Sequence, residues 1–309
     1  MAIRMQWTEL PAEVTRWVES ELGGAVVTTR SQANGFSSGT ADRVETAGGR
    51  RAFVKALSRQ RNAGGYELHR RETVVMRSLP ATVPAPRLLG SFDDGEWVAL
   101  ILEDVDGTHP RANDREDVRG VLDALATLPL AVDTLSWLPR VNEELEDDFH
   151  GWNRIAQDGA DAILSTAARE LRERIVSVSV DAFDAVDGES LVHLDCRVDN
   201  ILVDPQGKVR IVDWPWASVG APWLDALTYL LDVSMRDLEV DVEIYLDHPI
   251  FETMTSDHAD AALAGLAGAF YDNARAPALL DMPTLRSFQK AEGDAAVEWL
   301  SRRWDAVRH

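Results

Sequence analysis

The sequence contains one cysteine, Cys196, and only three lysines, Lys55, Lys208 and Lys290, among its 31 basic residues. A single cysteine excludes an intramolecular disulfide. No apolar run approaches the roughly 20 residues that a membrane-spanning helix needs, so no membrane segment is expected. The opening MAIRMQWTELPAEV lacks the basic-then-apolar order of a secretory signal, and a cytoplasmic location is the expectation. Positive charge is also scarce. With 52 acidic residues the net charge is −21, which argues against a nucleic-acid partner held by phosphate contacts. A cationic small-molecule partner is compatible with that charge, although an acidic surface that serves solubility alone is the plainer reading. With lysine so rare, each position that keeps one asks for a reason.

What is present suits a folded chain of two lobes: 309 residues, 45% of them hydrophobic and 27% charged. Residues 8 to 23 have the spacing of an amphipathic helix, with Thr8 as cap, Pro11 in the first turn, Val14, Trp17, Val18 and Leu22 on one face, and Gly23 as the stop. AVVTTR (25–30), ADRVET (41–46) and RAFVKAL (51–57) read as three consecutive antiparallel strands, joined by SQANGFSSGT and by a Gly48-Gly49 turn. Residues 65–79 have helical period, and 96–105 form another strand running into the turn-rich DGTHPRAND. The lobe boundary falls there, dividing the chain into 1–104 and 105–309. Beyond it Val118, Val121, Leu122, Leu125 and Leu128 recur at helical spacing, and further helices are expected within 145–182 and 221–309. The fold class is α+β: a small β-rich N-terminal lobe, a connecting strand and a larger, mainly helical lobe that contains one hairpin. No internal repeat or low-complexity tract interrupts it.

That hairpin carries the chemistry. ILVD (201–204) and VRIV (209–212) flank PQGK, and pairing 204 with 209 and 201 with 212 would set Asn200 opposite Asp213 at the open end. An amide and a carboxylate oxygen suit Mg²⁺, which fills its remaining positions with water and phosphate oxygens. Asp195, five residues before Asn200, can reach the same space without being a ligand. A pair of residues bounding an ordinary turn is the plain alternative for Asn200 and Asp213. The full spacing of His193, Asp195, Asn200 and Asp213 is more demanding. It reproduces H-x-D-x-x-x-x-N followed by a strand ending in Asp, the layout of kinase catalytic and metal-binding loops.

VHLDCRVDNILVD, followed by VRIVDWPWASVGAPWLDAL, resembles the aminoglycoside phosphotransferase family, which includes choline-kinase-like small-molecule kinases and shares the protein-kinase fold. The resemblance covers most of the chain and implies a bilobal protein-kinase-like architecture. It implies Asp195 as the catalytic base toward a substrate hydroxyl, Asn200 and Asp213 as the residues that hold Mg²⁺, His193 as a brace of the loop, and Asp225 as its support. Arg197 follows Asp195 by two positions and could neutralise charge on the phosphoryl group in transfer; a surface or ion-pairing arginine is the alternative. Cys196 reads as a small buried filler.

An ammonium inside the strand AFVKAL is costly without a partner. In a kinase-like lobe Lys55 would reach the nucleotide phosphates and pair with a glutamate on the next helix. Glu67 and Glu72 are the candidates, and Glu72 shares the apolar stripe of Leu68, Val75 and Leu79, so it is preferred. The loop NGFSSGT lacks a clean G-x-G-x-x-G, yet backbone N–H groups of Phe36, Ser37 and Ser38 could cradle phosphates. Any polar hairpin loop would look similar. LILEDVDG (100–107) resembles the hinge beside the purine, with backbone contacts at Glu103 and Val105. ATP is the expected co-substrate, with GTP also open.

Two departures from the kinase pattern follow Asp213. The glycine of D-F-G is absent, and Pro215 stiffens the segment, so a mobile activation switch is not expected. Trp214, Trp216 and Trp223 read first as core anchors and second as platforms for a sugar or cationic ring. The acidic VNEELEDDFHGWN (141–153) either lines the acceptor site, attracting a polyamine or aminosugar, or is a solvated loop, the plainer case. The sequence thus points to a Mg²⁺-dependent kinase acting on a hydroxyl of an aminoglycoside-like, aminosugar, amino-alcohol or related metabolite, as a monomer or homodimer. The rivals are a nucleotide-binding kinase-like module without useful transfer, and a metal-dependent hydrolase built on Asp195 and Asp213 that leaves Lys55 and Glu72 unexplained.

Overall fold

Apolar spacing builds the first helix and a glycine ends it. In the computed structural model, which describes residues 4–32, 37–131 and 133–306, α1 spans Ala12–Leu22 and buries Val14, Val18 and Leu22. Gly23 follows at φ 70°, a left-handed position that glycine occupies without a Cβ clash, and its N–H returns to the carbonyls of Glu19 and Ser20. The helix begins later than its apolar pattern suggests. Trp7–Glu9 form a separate 3₁₀ turn, and Pro11 takes the cap position in place of Thr8.

The strands are β1 (Val26–Ser31), β2 (Thr40–Thr46), β3 (Arg51–Ser58), β4 (Leu88–Asp93), β5 (Trp97–Leu102), β6 (Ser190–Val192), β7 (Ile201–Val203), β8 (Val209–Ile211) and β9 (Ser218–Gly220). The first five make an antiparallel sheet in the order β1-β2-β3-β5-β4. Edge strand β4 was not anticipated, because its residues LLGSFD are only half-buried and do not alternate. The expected strand 96–105 stops at Leu102. Helix α2 (Ala63–Ser78) is capped by the Asn62 side chain, which accepts the Gly65 N–H at 2.8 Å. Val18 and Leu22 of α1 pack on Val44, Ala52, Val54 and Ile101 of the sheet. Each such fully buried aliphatic side chain contributes roughly 1.5–3 kcal/mol.

The chain divides into two compact units. One comprises Met1–His109, Asp199–Trp216 and Leu279–Pro283; the other comprises Pro110–Val198, Ala217–Ala278 and Thr284–His309. The β7–β8 hairpin therefore belongs with the five-stranded sheet. It is tied there by paired bonds between Thr108 and Val203 and by the Ile211 N–H on the Pro84 carbonyl.

The register of this hairpin corrects the sequence-based one. Ile201 faces Ile211 and Val203 faces Val209, one residue short of the pairing expected. The cause is the turn. Asp204 bonds Lys208 through its N–H, its carboxylate accepts from the N–H groups of Gln206 and Lys208, and Gly207 sits at φ 78°. Only Pro205, Gln206 and Gly207 remain as loop, the three-residue form closed by a left-handed glycine. Asn200 consequently pairs with Val212 through backbone, at 2.8 Å, and Asp213 lies one position beyond rather than opposite.

In the second unit the helices of seven or more residues are α3 (Arg115–Leu125), α4 (Gly151–Gln157), α5 (Arg172–Ser179), α6 (Leu224–Arg236), α7 (Ser256–Ala274) and α8 (Leu285–Ala306). The Asp114 carboxylate caps α3 by accepting from Glu116 and Asp117 N–H groups, and Val118, Val121, Leu122 and Leu125 are buried. Small residues let α7 lie along α8, fastened by Tyr271 Oη to Asp294 and Trp304 Nε1 to Asp260. Short strands β6 and β9 pair antiparallel, placing Val192 at the edge of the loop that follows.

Candidate active site

In the first unit, β3 carries Lys55 and α2 carries Glu72. Lys55 Nζ lies 2.7 and 2.9 Å from the two Glu72 oxygens and 2.7 Å from Asp213 Oδ1. Glu72, on the core face of its helix, is 1% exposed, while Glu67 faces solvent with Arg59 and Arg70. Burial lowers the pKa of Lys55; the charges of Asp213 and Glu72 outweigh it and push the pKa up to about 12. Burial pushes Glu72 upward in turn, opposed by the Lys55 ammonium and by the Trp214 backbone N–H. The lysine therefore stands as a cation between two carboxylates.

Asp213 occupies left-handed backbone, φ 70°, a conformation costing a non-glycine residue roughly 1–2 kcal/mol. Its side chain is 44% exposed, while Asn200 is buried. Among the described residues no group of three or more His, Cys, Asp and Glu is gathered to hold a metal ion. An amide and a carboxylate at the end of one hairpin nevertheless fit a cation that takes most of its ligands from phosphate and water.

The other residues expected near a nucleotide are placed unevenly. Phe36 lies outside the described residues. Ser37 Oγ accepts the Gly39 N–H, and Ser38 is fully buried, its carbonyl receiving the Met5 N–H and Arg61 Nε. Glu103 spends its N–H on the Arg87 carbonyl, and Val105 follows in irregular chain. The residue between them was missed from sequence. Asp104 is gripped by Arg43 at 2.6 and 3.0 Å and by Arg51 at 2.6 Å, which ties the segment to β2 and β3. Arg4 was also missed: burial lowers its pKa while the charges of Asp213 and Asp42 oppose, so a second cation lies within the field of the Lys55 cluster.

In the second unit, the segment after β6 forms a tight loop. Asp225, buried at the start of α6, accepts the N–H groups of His193 at 2.5 Å and Leu194 at 2.9 Å. Burial raises its pKa, and these two donors oppose the rise. Leu194 sits at φ 63°, so this carboxylate fastens a strained residue directly before Asp195. His193 is fully buried, and its Nδ1 accepts the Asp195 N–H at 3.3 Å. Arg197 forms an ion pair with Asp195, and its guanidinium lies 5.4 Å from the Phe288 ring, a residue the sequence reading did not single out. Cys196 is fully buried, with a thiol pKa driven well above its ordinary value by burial.

The tryptophans separate. Trp214 is fully buried with Nε1 on the Ile211 carbonyl, and Trp223 is buried in a stack with His258. Trp216 is 38% exposed, with Arg71 over its ring at 5.6 Å. The acidic stretch is helical: Phe149, Trp152 and Ile155 are core, and Asp148 accepts from Asn273 at 2.7 Å. Among the described residues no helix is long and apolar enough to cross a membrane.

Comparison with solved structures establishes the fold. An aminoglycoside phosphotransferase from Alicyclobacillus acidocaldarius superposes with a TM-score of 0.59 at 15% identity, covering 97% of this chain and 98% of its own. The choline kinase LicA from Streptococcus pneumoniae gives 0.59 at 15% identity, covering 92% and 98%. A putative fructosamine-3-kinase from Haemophilus somnus gives 0.55 at 11%, covering 93% and 96%. No curated protein matches the chain. The model of the phosphotransferase enzyme family, APH, matches residues 32–263, three-quarters of the sequence, and the chain belongs to that family.

Proposed function

We propose that this member of the phosphotransferase family transfers the γ-phosphoryl group of ATP to a hydroxyl of a small acceptor of the aminoglycoside, aminosugar or amino-alcohol kind. The observation that carries the reading is the convergence of Lys55, Glu72 and Asp213, separated by 17 and 158 positions, on one ammonium. A buried cation so constrained is poised to meet nucleotide phosphates. The carbonyl of Glu103 and the N–H of Val105, in the segment fixed by Asp104, would meet the purine. Asn200 and Asp213 would hold Mg²⁺, which supplies charge neutralisation between phosphate oxygens when bound.

Asp195 takes the proton of the acceptor hydroxyl as that oxygen forms its bond to the γ-phosphorus and the bond to the β–γ bridging oxygen breaks, releasing ADP. Arg197, held by Asp195 and Phe288, supplies positive charge where the transferring oxygens become more negative. The test is a coupled nucleotide-consumption screen over aminoglycosides, aminosugars, amino alcohols and simple sugars, with Asp195→Ala as the blank. Turnover should fall about 100- to 10,000-fold in that variant while nucleotide binding persists. Full activity in Asp195→Ala would sink the mechanism, and binding without phosphorylated product across the panel would favour a non-transferring module.

A further inference from the structure

Helix α6 presents a second buried carboxylate to the catalytic loop. Asp232, 4% exposed, accepts the Val198 N–H at 2.7 Å through Oδ2, and the same oxygen receives Arg236 Nε at 2.7 Å. It follows Asp225 by seven residues, close to two helical turns, so both carboxylates face one side of α6 about 10 Å apart. The four steps from Leu194 to Val198 reach at most about 14 Å when extended. Gripped at both of these points, the stretch has little slack, and Asp195 and Arg197 lie within it.

The cost of this arrangement argues that it has a use. Asp232 Oδ1 and Tyr229 Oη, one turn apart on the same helix, are buried without a hydrogen-bond partner among the described residues. A carboxylate with one oxygen stranded in a helix core is a poor choice for stability, where an apolar residue would pack. Its other oxygen instead grips the backbone of the loop that bears the proposed base.

We propose that Asp232 is a positioning residue for phosphoryl transfer: it fixes Val198 while Asp225 fixes His193 and Leu194, and between them they set where Asp195 and Arg197 stand. The inference rests on the function proposed above for Asp195, and its test separates the two. In the full chain, amide hydrogen exchange over residues 193–198 is compared among the native protein, Asp232→Asn, Asp232→Ala and Ser234→Ala, whose hydroxyl bonds only the Leu231 carbonyl within α6. Asp232→Asn keeps the shape and removes the charge that holds Val198 and Arg236. It should speed exchange in this stretch about 10-fold or more and lower kcat about 10- to 100-fold, with nucleotide KM changed less than about 2-fold. Ser234→Ala should match the native protein in both. If Asp232→Ala does not fold, Asp232→Asn carries the test alone. Unchanged exchange in Asp232→Asn overturns the clamp whatever the activity, and faster exchange with undiminished kcat overturns its positioning role. Absence of transfer in the native chain counts against the proposed function, while exchange still decides whether Asp232 holds the loop.

Discussion

Lys55, Glu72 and Asp213 meet side chain to side chain, whereas the loop from His193 to Val198 is held by carboxylates that grip its backbone N–H groups. The first construction depends on the identity of each participant. A lysine there without its carboxylates would be a cation that burial disfavours, and a glutamate without its lysine would be a buried acid without a counter-charge. In the second construction the grip of Asp225 and Asp232 does not depend on the side chains at Leu194 and Val198, because any non-proline residue offers an N–H; among the loop's own side chains His193 adds a bond to the Asp195 N–H. That permits a leucine at 194 without loss of the hold and leaves the Asp195 and Arg197 side chains free of that task, as the proposed function requires. Strain is met in both regions, at Leu194 and Asp213, each next to or part of the proposed machinery.

The comparison can be broken most forcefully at Lys55. Lys55→Ala should lower the free energy of unfolding by about 3–5 kcal/mol, since it leaves Glu72 buried and unpaired beside Asp213. Chemical denaturation measures the loss. The double variant Lys55→Met with Glu72→Leu should recover most of that stability while remaining inactive, which separates the structural and chemical duties of the pair. A small loss in Lys55→Ala would mean that the cluster is less dependent on its cation than its geometry implies.

His69 offers a sharper probe of the same neighbourhood. It is buried on α2 with Nδ1 on the Gly65 carbonyl, and burial, aided by the Lys55 charge, lowers its pKa to about 4. The unfolded chain binds a proton at this histidine below pH about 6.5, but the folded protein does not until pH about 4. Stability is therefore complete above the upper value and falls as pH drops through this window, by about 3 kcal/mol in all. His69→Leu should flatten that part of the native stability–pH curve, measured as the difference between the two proteins. A parallel acid decline in both would remove His69 as its source. The smallest expected effect is at the start of α3: Asp114→Ala, which removes the cap of that helix, should cost about 1 kcal/mol by thermal unfolding.

Much of the first construction was legible because its signals are local. A lone lysine in an apolar strand and a glutamate on an apolar helical stripe each violate burial unless paired; the kinase resemblance implied the pairing, and the stripe chose Glu72 over Glu67. Asp104 was not legible, since its arginine partners lie 61 and 53 positions earlier on neighbouring strands and one aspartate among many carries no mark. Strand β4 was missed because an edge strand that is half-buried along its length has no alternation to read. The hairpin register slipped by one residue because the choice between a three- and a four-residue loop depended on the Asp204 side chain closing the turn.

By itself the sequence determined the α+β order of parts, the H-x-D-x-x-x-x-N motif with its following aspartate, and the pairing of a rare lysine with one of two glutamates. The first two follow from periodicity and spacing, and the pairing from the cost of burying charge together with the resemblance to kinases, all of which are written along the chain. Tertiary structure alone decided that Lys55 also meets Asp213, that Arg197 lies between Asp195 and Phe288, and that two carboxylates of α6 hold the loop from His193 to Val198. Those contacts join residues whose separation along the chain is unrelated to their distance in space. Backbone N–H donors, moreover, are the same at every position, so no residue type announces which of them will be gripped.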